Sequence, residues 1–224
     1  MAIRAITLDL DDTLWPFAPV ARRIQATLAA WLAEHAPRTA ARYDAAAAVA
    51  LLVAVRDERP DLVHDLAETR REALRRMLAS AGEDPALAEP AFAALNDARQ
   101  QVEVYPDAAP ALERLRCLGP LVAITNGNAD LERIGLADCF DAVIASERVG
   151  VAKPDPRIFE LALARLDLPA ADVLHAGDDL HTDVGGALAA GLQAAWVHRD
   201  LTGDAPAAAL RARDLLHLAE LVGA

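Results

Sequence analysis

The protein is a chain of 224 residues with 34 acidic and 22 basic side chains, which sets its formal net charge at −12. This acidic balance argues against a nucleic-acid partner and against a polybasic membrane anchor, because both require a basic surface. No apolar run reaches the ~20 residues of a membrane-spanning helix. The two cysteines, Cys117 and Cys139, are too few for a disulfide framework, so we expect a cytoplasmic protein with no membrane partner.

Short apolar segments alternate with helical patterns over most of the chain. The expected strands cover residues 2–10, 121–124, 142–145, 173–176 and 194–197. The expected helices between them cover residues 107–118, 130–136, 156–166 and 183–190, and the alanine-rich tail from Ala205 onward is expected to add a helix or two. This alternation predicts an α/β fold in three layers, with a parallel sheet covered by helices on both faces.

A long interval without strands separates the first two expected strands. It contains helical patterns at 19–35, 39–56, 61–81 and 86–101, with prolines near the junctions. A parallel crossover needs only about a dozen residues and a helix. We therefore expect an all-helical domain, residues 16–103, inserted into an α/β domain made of residues 1–15 and 104–224. An insertion at the carboxyl end of a parallel strand is well placed to act as a lid.

An acidic motif, Asp9-Leu10-Asp11-Asp12-Thr13, directly follows the first expected strand. Residues two apart along an extended chain point to the same side, so Asp9 and Asp11 could face one point. Two carboxylates that close repel one another, and a hard cation such as Mg²⁺ with oxygen ligands would relieve the repulsion. The alternative interpretation is a solvated turn or a helix N-cap, because Asp and Thr favour both.

A second acidic motif follows the fourth expected strand and opens a helix. It is the heptapeptide GDDLHTD of residues 177–183. Asp178 and Asp183 are expected to meet the first acids across neighbouring strand ends. The alternative is helix capping by Asp179 or Thr182, with Asp183 favoured in the first turn by the helix dipole.

Two further segments carry a hydroxyl and an amine. Thr125-Asn126-Gly127 follows the second expected strand, where a hydroxyl and backbone N–H groups could hold a phosphoryl oxygen, although Asn-Gly is also ordinary turn chemistry. Lys153 precedes a helix and is the single lysine beside 21 arginines. A lone lysine in such a composition either marks a place that needs a compact ammonium or survives by chance in a surface loop.

The four segments together define a candidate site. In chain order they supply two Asp residues, a Thr, a Lys and two more Asp residues, and all would emerge at the carboxyl edge of one sheet. Carboxylates, a hydroxyl, an ammonium and Mg²⁺ suit phosphoryl transfer. That reaction needs an in-line nucleophile and neutralisation of the charge on the phosphoryl oxygens.

With these segments in place, the chain resembles the haloacid dehalogenase superfamily of hydrolases, in the group with a helical C1-type cap inserted after the first strand. The matching segments are Asp9–Leu14, Thr125–Gly127, Lys153–Pro154 and Gly177–Asp183. Their order and spacing agree with the superfamily over residues 1–15 and 104–198. The resemblance implies a Rossmann-like α/β core, a Mg²⁺ cofactor and an enzyme that hydrolyses phosphate monoesters.

The resemblance also implies roles for the acids. Asp9 would be the nucleophile that forms an aspartyl-phosphate. Asp11 would protonate the leaving alkoxide and then take a proton from the attacking water. Mg²⁺ would be held by the Asp9 carboxylate, the Asp11 backbone carbonyl and Asp178.

Binding of the phosphoryl group falls, by the same resemblance, to three residues. Thr125 would contribute its hydroxyl, Asn126 its backbone N–H, and Lys153 its ammonium, which would also offset the charge of the acids and so act as a catalytic group. The residues expected to support this set from behind are Thr13, Asp179 and Asp183.

Longer stretches resemble one branch of the superfamily, the bacterial phosphatases of FMN and of 5-amino-6-(5-phosphoribitylamino)uracil. These stretches are residues 121–129, residues 174–186 and the segment from Asp61 to Leu74. The expected substrate is a small phosphorylated metabolite. The expected oligomeric state is a monomer or a homodimer.

Three other functions share part of this pattern. A 2-haloacid dehalogenase of the same superfamily also uses an aspartate nucleophile, but it needs neither a metal nor a second acid, so Asp11 and Asp178 count against it. A phosphomutase shares all the residues around the phosphoryl group. A non-enzymatic phospho-receiver domain combines acids, Thr and Lys at strand ends, but it lacks an 88-residue helical insertion.

Two side chains near the motifs have structural interpretations. His175 lies inside the fourth expected strand and is expected to be a core histidine rather than a catalytic one. Trp15 follows the first acidic motif, and three roles remain possible for it: part of a hinge, a contact with substrate, or packing alone.

Overall fold

The computed structural model describes residues 3–200, 203, 204, 206, 207 and 209–224. The chain divides into two compact units, one made of Met1–Pro16 with Glu103–Ala224 and the other of Phe17–Val102. The second unit differs by one residue at each end from the insertion expected at residues 16–103. Two expected boundaries, the strand start at Ala2 and the tail start at Ala205, lie outside the described residues.

The unit Phe17–Val102 takes its regular structure from helices. They are α1 Phe17–His35, α2 Pro37–Arg42, α3 Ala45–Glu58, α4 Leu66–Ser80 and α5 Ala88–Arg99. An apolar core between them buries Leu32, Leu74, Met77 and Leu95. Among the helices in the described part of the chain, none is long and apolar enough to cross a membrane.

The single helix expected at residues 39–56 is wrong, because the structure has two helices, α2 and α3, that are separated at Tyr43 and Asp44. Asp44 has an extended backbone, and its carboxylate accepts a hydrogen bond from the Ala47 N–H at 2.8 Å. Such a cap satisfies an N–H group that has no partner at a helix start. A polar side chain therefore begins a new helix inside a continuous helical pattern.

The other unit is built on a six-stranded sheet. Its strands are β1 Ala5–Leu8, β2 Leu121–Thr125, β3 Ala142–Ala145, β4 Val173–Gly177, β5 Gln193–Val197 and β6 Ala209–Ala212. All neighbours pair in parallel in the order β3-β2-β1-β4-β5-β6, which is the Rossmann strand order. The three central strands are buried along their whole length, which confirms the expected α/β class.

Helices follow the strands of this sheet. They are α6 Ala108–Leu115, α7 Leu131–Ile134, α8 Ser146–Val149, α9 Pro156–Leu166, α10 Gly186–Ala189 and α11 Leu215–Val222. A π-helical turn, Leu180–Gly185, leads from β4 into α10. The core beside the sheet packs Phe159 and Ile158 of α9 against strand residues such as Ile124 and Val173.

The tail differs from the expectation of helices alone. Ala209–Ala212 forms β6, which pairs with β5 from Ala194 opposite Ala209 to Val197 opposite Ala212. Ala, Leu and Arg have little intrinsic preference for strands, so the pairing with β5 decides the conformation of this segment. One of the expected helices is present as α11.

The register of the central strands positions the loops that carry the acidic motifs. Leu8 at the end of β1 lies opposite Ala123 of β2 and Ala176 of β4. The Asp9 N–H continues this pairing by donating to the Ala176 backbone oxygen at 2.9 Å. The chain therefore leaves all three strands at one edge of the sheet.

Candidate active site

Lys153 is the centre of a buried polar cluster at this edge of the sheet. Its Nζ donates to Asp9 Oδ1 at 2.5 Å, to Asp183 Oδ1 at 2.6 Å and to the Ile124 backbone oxygen at 2.9 Å. Three N–H groups meet three acceptors on a side chain that is only 2% exposed. Burial lowers the pKa of Lys153, but the charges of Asp9 and Asp183 outweigh it and raise the pKa, so the ammonium stays charged.

Asp183 lies behind Lys153 and is almost fully buried. Its Oδ2 accepts a hydrogen bond from the Asp179 N–H at 3.0 Å. Gly177, the last residue of β4, makes room for it, because a Cβ at Gly177 would stand 2.3 Å from the Asp183 carboxylate carbon. Burial raises the pKa of Asp183, but Lys153 and His175 lower it further, so the group is ionised.

Three carboxylates converge in this cluster. One oxygen each from Asp9, Asp178 and Asp183 lies within 4.8 Å of the other two. Burial, together with the charges of Asp183 and Asp12, raises the pKa of Asp178 to about 7. Burial also raises the pKa of Asp9, and the nearby Lys153 offsets this only in part. One ammonium therefore leaves negative charge uncompensated, and carboxylate oxygens are the ligands that a hard divalent cation prefers.

Asp11 is held by a different partner. Trp15 is fully buried, and its Nε1 donates to Asp11 Oδ1 at 2.8 Å. A tight turn makes this contact possible: Asp12 has a left-handed backbone with φ 59°, and its N–H donates to the Trp15 backbone oxygen at 2.8 Å. The group of three carboxylates found among the described residues does not include Asp11.

Thr125 and Asn126 stand at the end of β2. The Thr125 hydroxyl accepts a hydrogen bond from the Gly127 N–H at 2.9 Å. The Asn126 side chain makes two bonds with the backbone of Lys153, since its Nδ2 donates to the carbonyl at 2.9 Å and its Oδ1 accepts from the N–H at 2.8 Å. The Asn126 amide thus anchors the loop that carries the lysine, a role that we did not expect from its position in the sequence.

The remaining predicted residues differ in their contacts. Thr13 is buried, and its hydroxyl donates to Asp9 Oδ2 at 3.4 Å. The Asp179 carboxylate instead caps the π-helical turn, accepting from the His181 N–H at 2.8 Å and the Thr182 N–H at 2.7 Å. Only the backbone N–H of Asp179 reaches the cluster, through its bond to Asp183.

The family model for haloacid dehalogenase-like hydrolases matches residues 3–191 of the chain. The protein is a haloacid dehalogenase-like hydrolase.

Relatives of this haloacid dehalogenase-like hydrolase include phosphatases. It is 36% identical over 199 residues to the 5-amino-6-(5-phospho-D-ribitylamino)uracil phosphatase YigB of Escherichia coli. The match covers 87% of this chain and 83% of that protein. It is also 37% identical over 154 residues to a phosphoserine phosphatase of Thermus thermophilus, in a match that covers 65% of this chain and 62% of that protein.

A solved structure with the same fold is named as a dehalogenase rather than a phosphatase. A crystal structure of a 2-haloacid dehalogenase from Pseudomonas syringae pv. Tomato DC3000 superposes on the hydrolase with a TM-score of 0.91. The two sequences are 35% identical, and the match covers 99% of this chain and 98% of that one.

Sequence reasoning missed three contributors to the site of this hydrolase. They are the Asn126 amide, the Trp15 indole and Trp196, whose Nε1 donates to the Asp178 backbone oxygen at 2.7 Å. Trp15 carried a weak signal, because a tryptophan four residues after an acid in a turn can reach back to it. Trp196 lies on β5 and carried none, because only the strand order brings it beside the loop after β4.

Proposed function

We propose that the protein is a Mg²⁺-dependent phosphatase that hydrolyses a small phosphate monoester through an aspartyl-phosphate on Asp9. The observation that carries this proposal is the convergence of Asp9, Asp178 and Lys153, with Lys153 Nζ 2.5 Å from Asp9 Oδ1 and the carboxylates of Asp9 and Asp178 within 4.8 Å. Phosphoryl transfer requires a nucleophile and positive charge that stabilises the charge developing on the phosphoryl oxygens, both in a site shielded from water. Phosphatase relatives such as YigB support the same reaction class.

The first half-reaction forms a bond from Asp9 to phosphorus. Lys153 Nζ holds Asp9 Oδ1 at 2.5 Å, whereas Thr13 Oγ1 lies 3.4 Å from Oδ2, so we assign the less strongly held Oδ2 as the attacking atom. The ester bond from phosphorus to oxygen breaks as the new bond forms. The leaving alkoxide takes a proton from the Asp11 carboxyl, whose orientation is fixed by the hydrogen bond that its Oδ1 accepts from Trp15 Nε1.

The second half-reaction returns the enzyme to its starting state. The Asp11 carboxylate accepts a proton from a water molecule as the water oxygen attacks phosphorus. The bond from Asp9 to phosphorus breaks, inorganic phosphate leaves, and Asp9 is again a carboxylate while Asp11 is again an acid.

Two residues are suited to bind the transferring phosphoryl group. The Thr125 oxygen accepts from the Gly127 N–H, so its own hydrogen points away from that group and is able to donate to a phosphoryl oxygen. All three N–H groups of Lys153 already have partners, so we assign it first to orient Asp9. Contact with a phosphoryl oxygen would replace the Ile124 carbonyl, which is the longest of its three hydrogen bonds.

The residues that would hold Mg²⁺ are Asp9, Asp178 and the backbone carbonyl of Asp11. A separation within 4.8 Å for the carboxylate oxygens is compatible with the spacing of about 3–4 Å that oxygens take on one octahedral Mg²⁺. When bound, Mg²⁺ would supply positive charge that keeps Asp9 ionised and stabilises the charge on the phosphoryl oxygens.

For the substrate, we propose FMN or a phosphorylated intermediate of riboflavin synthesis. The support is the 36% identity with the phosphoribitylaminouracil phosphatase YigB over 87% of this chain. The phosphoserine phosphatase relative makes phosphoserine the natural comparison substrate.

A 2-haloacid dehalogenase is the second candidate function, favoured by the structural match at a TM-score of 0.91. That reaction displaces halide from carbon and needs no metal. The acid cluster favours the phosphatase, because displacing halide does not require Asp178, while the charge of this partly buried carboxylate beside Asp183 destabilises the site.

The experiment is a turnover assay on p-nitrophenyl phosphate with Mg²⁺ and after chelation, followed by a panel of FMN, the ribitylaminouracil phosphate, phosphoserine, phosphoglycolate, sugar phosphates and nucleotides. We expect many turnovers with Mg²⁺ and none without it. The Asp9→Asn variant should lose more than about 10³-fold in kcat with an unchanged melting temperature. Asp138→Asn, an exchange at an exposed position, is the matched control and should keep normal kcat.

Other outcomes would point to other functions. Release of chloride from 2-chloropropionate without any phosphatase activity would make the protein a dehalogenase. Movement of phosphate between two positions of a sugar would make it a phosphomutase. A single phosphorylation without turnover would make it a receiver domain.

A further inference from the structure

A buried histidine directly behind the site has no role in the mechanism above. His175 lies in the middle of β4 and is 1% exposed. Both of its ring nitrogens have partners, since Nδ1 lies 2.8 Å from Thr7 Oγ1 and Nε2 lies 3.3 Å from Asp183 Oδ1. The edge of Phe159 packs against the ring at a centroid distance of 5.1 Å. The ring is therefore fixed in orientation.

The two partners determine which nitrogen carries the proton. An ionised carboxylate only accepts hydrogen bonds, so the bond to Asp183 requires a hydrogen on Nε2. Nδ1 is then an acceptor and takes a hydrogen bond from the Thr7 hydroxyl. Thr7 is fully buried in β1, next to β4, and lies opposite His175 in the parallel register. Burial lowers the pKa of His175, which keeps the ring neutral.

The same carboxylate oxygen contacts the catalytic lysine. Asp183 Oδ1 accepts from Lys153 Nζ at 2.6 Å and from His175 Nε2 at 3.3 Å. The carboxylate packs closely against Gly177, where a Cβ would stand 2.3 Å from its carbon, and the Asp179 N–H donates to its second oxygen. A hydrogen-bonded chain thus runs from Thr7 through His175, Asp183 and Lys153 to Asp9 Oδ1.

We propose that His175 is a positioning residue, which acts with Thr7 to set the orientation of Asp183 and, through Lys153, that of Asp9. The expected effect of His175 on turnover rests on the proposed phosphatase function. Its expected effect on the position of the Lys153 ammonium does not. Loss of the Nε2–H donor removes one of the hydrogen bonds that fix Asp183 Oδ1, so this oxygen can shift and change the position of the Lys153 ammonium bonded to it. Loss of such an outer partner typically lowers activity about 10- to 100-fold.

The composition of the chain offers a direct probe. Lys153 is its single lysine, so labelling with ¹⁵N-lysine produces one side-chain ammonium resonance. We expect a resolved, slowly exchanging signal in the wild type. His175→Leu should broaden or shift that signal and lower kcat at least about tenfold, with KM changed less than about twofold. His175→Gln, whose amide is able to donate toward Asp183, should recover most of both properties.

A second pair of variants guards against simple unfolding of His175→Leu. Thr7→Val keeps the shape of the side chain and removes the hydroxyl, while Thr7→Ser keeps the hydroxyl. We expect a smaller loss of kcat in Thr7→Val, about threefold by this reasoning, with a shift of the His175 ¹⁵Nδ1 resonance. Thr39→Val is the matched control: Thr39 is also fully buried, and its hydroxyl has no hydrogen-bond partner in the described structure.

The outcomes separate the two proposals. An unchanged Lys153 resonance in folded His175→Leu and Thr7→Val proteins would overturn the positioning role, whatever their activity. Equal loss of kcat in His175→Gln and His175→Leu would also overturn it, because the donor would then not matter. A wild type that turns over no phosphate ester but shows the expected resonance changes would refute the proposed function and leave the positioning role intact.

Discussion

Replacing Lys153 with arginine tests whether the site needs an ammonium or merely a positive charge. The Lys153 side chain is 2% exposed, and its three N–H groups point to three acceptors at 2.5, 2.6 and 2.9 Å. An ammonium is a compact donor that suits three converging acceptors. A guanidinium is wider and planar, so in the same space it reaches two of them at most.

The expected magnitude follows from these contacts. A hydrogen bond to a charged group contributes about 1.5–3 kcal/mol, and losing one that orients Asp9 lowers kcat about 10- to 150-fold. Forcing extra atoms into the buried space costs a further ~1–3 kcal/mol of folding stability. Lys153→Arg should therefore lower both kcat and the melting temperature.

The assay is turnover of p-nitrophenyl phosphate at saturating Mg²⁺, with thermal melts on the same samples. Arg157→Lys is the matched control, because it makes the reverse exchange at an exposed side chain whose ion pair with Asp155 is a surface contact. We expect the control to keep kcat within about twofold. Near-normal kcat and melting temperature in Lys153→Arg would refute the reasoning and make the lone lysine an accident of composition.

Three further predictions concern neighbours of Lys153. The fold raises the pKa of Asp178 to about 7 from the ordinary value of 3.8. Between pH 3.8 and pH 7 the native state therefore keeps a proton that the unfolded state has released, so the free energy of unfolding falls as pH rises. Metal-free Asp178→Asn should therefore melt higher than the wild type at pH 8 and by a smaller margin at pH 5, and Mg²⁺ should raise the pH 8 melting temperature of the wild type alone; identical pH profiles would contradict this. Gly177→Ala would place a Cβ 2.3 Å from the Asp183 carboxylate carbon, so thermal melts should show a loss of ~1–3 kcal/mol in the free energy of unfolding. An unchanged melting temperature would mean that Asp183 moves freely. Trp15→Phe removes the donor to Asp11 Oδ1, and kcat should fall more for alkyl phosphates than for p-nitrophenyl phosphate, because only the poor leaving group depends on the acid; equal losses would remove Asp11 from that role.

Local patterns in the sequence predicted much of the α/β core. The apolar runs predicted β1 to β5, and the strand-free interval predicted helices in the region that α1 to α5 occupy, because strand and helix periodicity depend on near neighbours. The acidic motifs could be placed at one edge of the sheet, since parallel strands present their carboxyl ends together. Two local patterns misled: the helix expected at residues 39–56 is interrupted by the Asp44 cap, and the tail contains β6.

The sequence by itself determined which residue types stand at the strand ends, and the tertiary structure alone decided which of them bond to one another. Lys153 and Asp9 are 144 positions apart, and Thr7 and His175 are 168 apart. No local pattern indicates that a strand histidine meets a carboxylate or that Asn126 anchors the lysine loop. The physical reason is that a polar side chain has many compatible partners in an extended chain, and only the packing of distant segments leaves one of them within hydrogen-bonding distance.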